Sequence, residues 1–129
     1  MRQRTASASP YEAAIGFARA VRVGDRILVS GTAPVEPDGS STPGDAAAQA
    51  TRCFAIIAQA IGELGGRIDD VVRTRMYLTD PADAEAVGQV HGRVMGTVRP
   101  AATMLVVAAL LRPEWRVEIE AEAIVESEA

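Results

Sequence analysis

The sequence of 129 residues contains no lysine and no asparagine, and it has one cysteine and one histidine. Without lysine, the chain cannot form a lysine Schiff base or use a Walker-A lysine to bind phosphate. Without asparagine, it offers no acceptor for N-glycosylation. Cys53 alone excludes an intramolecular disulfide, and together with His91 it argues against multi-cysteine or histidine-rich metal sites.

Basic charge is also scarce, because 13 arginines face 17 acidic residues and the net charge is −4. This balance lacks the basic patch of a nucleic-acid-binding protein and disfavours docking to an anionic membrane. No run approaches the roughly 18 apolar residues of a membrane span, and the N-terminus lacks the apolar core of a secretory signal. We therefore expect a cytoplasmic protein of one domain, with a loose segment at residues 1–10 and the domain at residues 11–129.

Two helices are predicted between strands. The first follows the capping residue Asp45 and ends at Gly65 and Gly66. Its apolar stripe comprises Phe54, Ile57, Ile61 and Leu64. The second begins at Asp80 and Pro81 and buries Val87, Val90 and Val94. Strands are predicted at residues 18–23, 26–31, 71–78, 103–107 and 115–125, and the apolar run 103–107 is expected to be buried.

The order β-β-α-β-α-β-β predicts an α+β fold in which a mixed sheet carries both helices on one face. No predicted element is left to cover the other face of the sheet. Self-association is the natural way to bury that face, so an oligomer is expected from the element pattern alone.

Three glutamates, Glu118, Glu120 and Glu122, alternate with apolar residues on the last strand. They belong either to a solvated face or to the face that is buried by oligomerisation, where they would need partners. Arg73 and Arg75 alternate in the same way on the strand 71–78, so an Arg–Glu ladder forms if the two strands are neighbours. A glutamate left partly unpaired in a cleft could act as a general base.

Four other residues have both a structural and a functional interpretation. His91 lies off the apolar stripe of its helix; it is either structural or, in a cleft, able to bind an anion or transfer protons. Ser30 and Gly31 lack a serine-hydrolase motif but could offer a hydroxyl and a backbone N–H to a ligand. Cys53, among apolar helix residues, is expected to be core rather than nucleophile.

Four motifs together resemble the RidA/YjgF family. Residues 20–24, with Val29-Ser-Gly31 and Pro34, are similar to its N-terminal hairpin, and residues 70–74 with 77–80 to its third strand. Arg99-Pro-Ala101 and Val117-Glu-Ile-Glu-Ala121 are similar to its two C-terminal motifs. The resemblance runs in register from about residue 13 to 125; each motif is weak alone, but the order and spacing are specific.

The resemblance implies a chorismate-mutase-like fold and a homotrimer with a ligand cleft between each pair of subunits. In the best-known branch these clefts hydrolyse reactive enamines and imines to 2-keto acids and ammonia, with no metal or organic cofactor. Some relatives carry an endoribonuclease label. The implied partners are a small metabolite and two further copies of the chain.

The resemblance also implies roles for individual residues. Ser30 and Gly31 match the family's cleft Ser-Gly, and Glu118 matches the glutamate that positions or activates water. Phe17 keeps the ring but lacks the hydroxyl of a family tyrosine, and His91 stands where a tyrosine is frequent. Thr103 belongs, with Ala102, to the last cleft motif.

The main departure is Ala102, because the active branch has an arginine here that clamps the substrate carboxylate. Its loss should weaken binding by several kcal/mol. Arg75 and Arg99 are the candidate replacements, unless they simply pair with carboxylates. The sequence therefore leaves three hypotheses: an imine or enamine hydrolase, a non-catalytic metabolite-binding trimer and, against the net charge and the absence of a His/Lys pair, a ribonuclease.

Overall fold

A computed structural model describes residues 1–126 and contains one six-stranded mixed sheet with helices packed on one face. The strands are β1 (Arg2–Thr5), β2 (Ala20–Val23), β3 (Arg26–Thr32), β4 (Val71–Leu78), β5 (Ala101–Val106) and β6 (Val117–Ile124). The α-helices are α1 (Tyr11–Ile15), α2 (Ala46–Glu63) and α3 (Ala84–Met95). The predicted α+β class is confirmed; residues 127–129 of the predicted domain lie outside the described part.

The strand order across the sheet is β1-β2-β3-β6-β4-β5. Only β4 and β5 are parallel, since α3 connects them as a crossover, and every other neighbouring pair is antiparallel. The C-terminal strand β6 therefore lies in the middle of the sheet, between β3 and β4. This position places Glu118 next to two strands that are distant in sequence.

Helix α2 forms as its sequence predicts. The Asp45 side chain accepts a hydrogen bond from the backbone N–H of Ala48 at 2.9 Å and so caps the first turn. The helix ends before Gly65, whose φ of +85° is readily adopted by glycine. Its apolar stripe packs against the sheet with Val87 and Val90 of α3, and together they form the core.

The second predicted helix begins later than Asp80. Asp80 caps a short 3₁₀ turn, Pro81–Asp83, by accepting from the Ala82 N–H, and α3 follows at Ala84. Val94, predicted to be buried, is only partly buried, whereas Met95, the last residue of the helix, is buried.

The prediction that residues 1–10 are loose is wrong for β1, which pairs antiparallel with β2 from Arg2 opposite Val23 to Thr5 opposite Ala20. The β1 side chains are largely exposed, so the strand is held by backbone hydrogen bonds and leaves no apolar pattern in the sequence. The short helix α1 was also not predicted. Both elements matter because they bring the N-terminal segment over the candidate site.

The strand predicted to be buried at residues 103–107 is instead the edge strand β5, and this prediction is wrong for the single chain. Leu105 is 49% exposed and Val106 is 52% exposed. A strand paired on one side only, without a layer over its outer face, leaves such side chains in water.

The predicted Arg–Glu ladder is confirmed on the sheet face opposite the helices. Arg73 lies opposite Glu122 and Arg75 opposite Glu120 in the β4–β6 pairing. The Arg75 guanidinium lies 3.5 Å from the carboxylates of both Glu120 and Glu122. Exposed apolar side chains, among them Val23 and Leu28, lie on the same face and are not covered within the described chain.

Candidate functional site

A cavity of about 560 Å³ opens where the C-terminal end of β3 meets β6, α2 and the N-terminal segment. It brings together four of the residues selected from the sequence: Phe17, Ser30, Gly31 and Glu118. Its volume lies within the roughly 300–1,000 Å³ typical of small-molecule sites. The cavity is the candidate functional site.

A β-bulge shapes the polar end of this cavity. In the β3–β6 ladder Val29 pairs with Ala121 and Thr32 with Ile119, so Ser30 and Gly31 together oppose a single residue of β6. The Ser30 hydroxyl donates to the Ala18 carbonyl at 2.7 Å, which leaves its oxygen able to accept from a ligand.

Gly31 lets the Glu118 carboxylate lie directly against the backbone of the bulge. A Cβ atom at position 31 would lie 2.5 Å from Oε2 of Glu118 and 3.3 Å from its Cδ. Any side chain at this position would therefore displace the carboxylate. The glycine is required by this close approach and not by a left-handed backbone conformation.

Glu118 is half-buried, and within residues 1–126 its carboxylate has no hydrogen-bond or ion-pair partner. Burial raises the pKa of Glu118 above its ordinary value; the nearby Arg19 acts in the opposite direction, and Glu120 adds to the increase. A carboxylate with a raised pKa is better suited to act as a general base near neutral pH.

Arg19 is a buried arginine of the cavity wall, only 4% exposed, and it was not predicted from the sequence. Its Nη2 donates to the Gly31 carbonyl at 2.5 Å, and its Nη1 lies 3.9 Å from the carboxylate of Glu12, which is also buried. The guanidinium carbon lies 5.7 Å from the Phe17 ring centroid, within range of a cation–π contact. Its Nε, itself buried, has no partner among the described residues.

An apolar wall completes the cavity on the side of α1. Tyr11 and Trp115 meet edge to face with ring centroids 6.2 Å apart. The Arg112 guanidinium lies 5.2 Å from the Trp115 ring centroid and 5.9 Å from that of Tyr11. These contacts hold the N-terminal segment against the loop that precedes β6. Ser7 also binds the N-terminal segment to α1, because its backbone N–H and its hydroxyl both donate to the Glu12 carboxylate.

Other candidate residues lie away from this cavity within the chain. Arg75 is in the ladder with Glu120 and Glu122, as the alternative interpretation expected. Arg99 is exposed and has a φ of +53° in the turn that leads to β5. Neither arginine lines the cavity.

His91, Ala102 and Thr103 form a second group at the β5 side of the sheet. The His91 ring lies 2.8 Å from the Thr74 hydroxyl, through its Nε2, and meets the Phe54 ring edge to face. Burial lowers the pKa of His91, which favours the neutral ring at neutral pH. In β5, Ala102 pairs with Thr74 and Thr103 with Arg75, so the two residues face opposite sides of the sheet. The single chain does not bring this group to Glu118.

Cys53 is fully buried in α2, and burial raises the pKa of its thiol, which opposes formation of a reactive thiolate. Within residues 1–126, no group of three or more His, Cys, Asp or Glu side chains is arranged to hold a metal ion. No helix in this part of the chain has the length and apolar character needed to cross a membrane.

Comparisons with known proteins support one family. The family model described as Endoribonuclease L-PSP matches residues 6–125. A crystal structure from Mycobacterium tuberculosis, described as a member of the YjgF/YER057c/UK114 family, is 42% identical, with a TM-score of 0.87 over 97% of this chain and 100% of that chain. The chain belongs to the RidA/YjgF family.

Two curated relatives illustrate the range of similar proteins. An uncharacterised protein of Streptomyces coelicolor is 40% identical over 121 residues, covering 94% of this chain and 90% of that protein. The 2-iminobutanoate/2-iminopropanoate deaminase of Escherichia coli K12 is 29% identical over 125 residues, covering 94% of this chain and 97% of the enzyme. The family predicted from the four motifs is thus confirmed.

Proposed function

We propose that this RidA/YjgF protein hydrolyses the C=N bond of a reactive imine, or of the enamine that tautomerises to it, at the Glu118 cavity. The supporting observation is that Phe17, Ser30, Gly31 and Glu118 line a single cavity although they come from three separate parts of the chain. A relative described as an imine deaminase supports the same reaction class.

In the proposed reaction, Glu118 accepts a proton as water adds to the imine carbon and forms a new C–O bond. The π pair of the C=N bond goes to nitrogen, which takes this proton back from Glu118, so that a neutral carbinolamine forms. In the collapse of the carbinolamine, Glu118 accepts the hydroxyl proton and returns it to nitrogen, the C–N bond breaks, the C=O bond forms, and ammonia and a carbonyl compound leave. A half-buried carboxylate with a raised pKa suits these proton transfers, because it is a stronger base than an exposed glutamate. Ser30 and the Gly31 N–H would hold the ligand.

We also propose that the protein acts as a homotrimer with the cavities at intersubunit clefts. The sheet face opposite the helices has no cover in the described chain and exposes Val23 and Leu28 beside the Arg–Glu ladder. In such an assembly the group of His91, Ala102 and Thr103 would come from a neighbouring copy. Light scattering should then give a mass three times that of the 13.5 kDa chain. The mass of a monomer would contradict the proposal that the cavities lie between subunits.

The main alternative is a metabolite-binding trimer without catalysis. It is favoured by Ala102, which cannot supply the charged clamp on a substrate carboxylate. The ribonuclease alternative has less support, because the chain has a net charge of −4 and no lysine to pair with its one histidine.

A coupled assay separates catalysis from binding alone. An amino-acid oxidase generates 2-iminopropanoate or 2-iminobutanoate in solution, and ammonia release is followed with the protein, with Glu118→Gln and with no protein. Acceleration that is lost by at least about 100-fold in Glu118→Gln supports the hydrolase. Acceleration that survives in Glu118→Gln contradicts the role of Glu118, and none with the unaltered protein contradicts hydrolysis of these two imines.

A further inference from the structure

The apolar surface of the Glu118 cavity is larger than a three- or four-carbon imino acid needs. One side consists of aromatic and branched side chains: Tyr11, Ile15, Phe17, Ile56, Leu111 and Trp115. Ligands that fill cavities of about 560 Å³ are commonly of drug size and bury most of their surface against such walls. The walls therefore fit a ligand with a bulky apolar body.

Both arginines of the cavity wall already have anionic partners. Arg19 faces Glu12 and donates to the Gly31 carbonyl. Arg52 Nε lies 3.1 Å from the Glu36 carboxylate and donates to the Val35 carbonyl at 2.9 Å. Arg19 is too deeply buried to present a pair of N–H groups to a ligand, and the positive charge of Arg52 is already paired with Glu36.

The two carboxylates of the cavity wall differ in their surroundings. Glu63, at the exposed rim, accepts hydrogen bonds from Thr5 and Gln59. Glu118 lies deeper, and within residues 1–126 no donor satisfies its carboxylate. The charged groups that affect its pKa are Arg19 and Glu120. The deep end of the cavity therefore presents an unpaired carboxylate, and the nearby Arg19 charge already faces Glu12, so an N–H donor of a ligand fits this end better than a second carboxylate does.

We propose that this cavity selects a nitrogen compound with a bulky apolar body and no carboxylate, whose neutral or protonated amine or imine nitrogen donates to Glu118. The inference rests on the proposed function for its site and narrows the substrate class. Ala102 is consistent with it, because a ligand without a carboxylate does not need the missing arginine. An N–H donor from the ligand would satisfy a half-buried carboxylate, and such charge-assisted bonds are stronger than neutral ones.

The test compares two probes of similar shape and opposite charge, 2-phenylethylamine and 3-phenylpropanoate, near neutral pH and at physiological salt. Trp115 is the only tryptophan of the chain and lies in the cavity wall, so its fluorescence reports binding. We expect the amine to bind at least about tenfold more tightly than the carboxylate, since a hydrogen bond to a charged group contributes about 1.5–3 kcal/mol.

Glu118→Gln should reduce the affinity for the amine by about tenfold and leave or raise that for the carboxylate. Glu85→Gln is the matched control, because it removes the same charge from an exposed position in the first turn of α3. It should change neither affinity. Retained secondary structure of Glu118→Gln, measured by circular dichroism, excludes loss of the fold as the cause.

Three results would overturn the inference: tighter binding of 3-phenylpropanoate, binding of the amine that Glu118→Gln does not weaken, or no binding of either probe at millimolar concentration. The outcome of the imine hydrolysis assay is independent of these binding results. A protein that hydrolyses 2-iminopropanoate but prefers the carboxylate probe retains the proposed reaction and loses this substrate class. A protein that binds the amine through Glu118 but hydrolyses no imine retains the ligand class and loses catalysis.

Discussion

Gly31→Ala tests whether the position of the Glu118 carboxylate matters to ligand binding. The added Cβ would lie 2.5 Å from Oε2 of Glu118, whereas ordinary contacts begin near 3.4 Å. The carboxylate must therefore move by about 1 Å. Displacements of about 1 Å from productive geometry cost roughly 100-fold in rate. We expect a comparable loss of imine hydrolysis and a clear loss of 2-phenylethylamine affinity.

The same substitution should leave the free energy of unfolding within about 1 kcal/mol of its original value. The atom that must yield is the end of a flexible side chain, and Gly31 does not have the positive φ that would strain an alanine. Alanine also reduces the conformational entropy of the unfolded chain, which stabilises the fold by about 0.4–1 kcal/mol.

Gly62→Ala is the matched control, because a Cβ at that exposed position of α2 would meet no atom within 4 Å. It should leave binding and turnover unchanged and raise stability by up to about 1 kcal/mol. Urea unfolding, Trp115 fluorescence titration and the coupled imine assay measure the three quantities. Unchanged binding and turnover in a folded Gly31→Ala protein would refute the assigned role of the Glu118 position.

Two further predictions concern the buried charges. Glu12→Gln leaves the Arg19 guanidinium buried without its carboxylate partner, so the free energy of unfolding, measured by urea denaturation, should fall by about 3 kcal/mol. A loss below about 0.5 kcal/mol would show that the Glu12–Arg19 pair does not stabilise the fold. Glu118→Gln should stabilise the protein at pH 8, because the raised pKa makes the ionised carboxylate unfavourable in the folded state. This gain in stability should shrink as the pH falls through the raised pKa of the folded state towards the ordinary value of 4.5. A tenfold change in proton affinity corresponds to about 1.4 kcal/mol of stability. A gain that does not depend on pH would show that the raised pKa of Glu118 is not its cause.

Much of the fold is predictable because local patterns determine its regular elements. The alternation of Glu118, Glu120 and Glu122 with apolar residues set one face of β6, and the same period in β4 set Arg73 and Arg75 opposite them. Since a strand has a period of two, each pattern placed these charges on the correct side of the sheet before the pairing was known.

Local patterns miss elements whose partners are distant and polar. Strand β1 is held by backbone hydrogen bonds to β2 and has largely exposed side chains, so no hydrophobic period marks it. The position of β5 at the sheet edge was missed for a related reason: an apolar run predicts a strand but does not show how many neighbours cover it.

For the candidate site, the sequence by itself determined the residues of the polar end: Ser30, Gly31 and Glu118 stand in motifs that also mark the family. Only the tertiary structure decided which charges accompany them. Arg19 and the partly exposed Arg22 are both flanked by apolar residues in the sequence, but Arg19 is buried, and its Nη1 lies 3.9 Å from the Glu12 carboxylate of α1. Electrostatic interactions depend on distance and burial, and neither is determined until distant segments pack together.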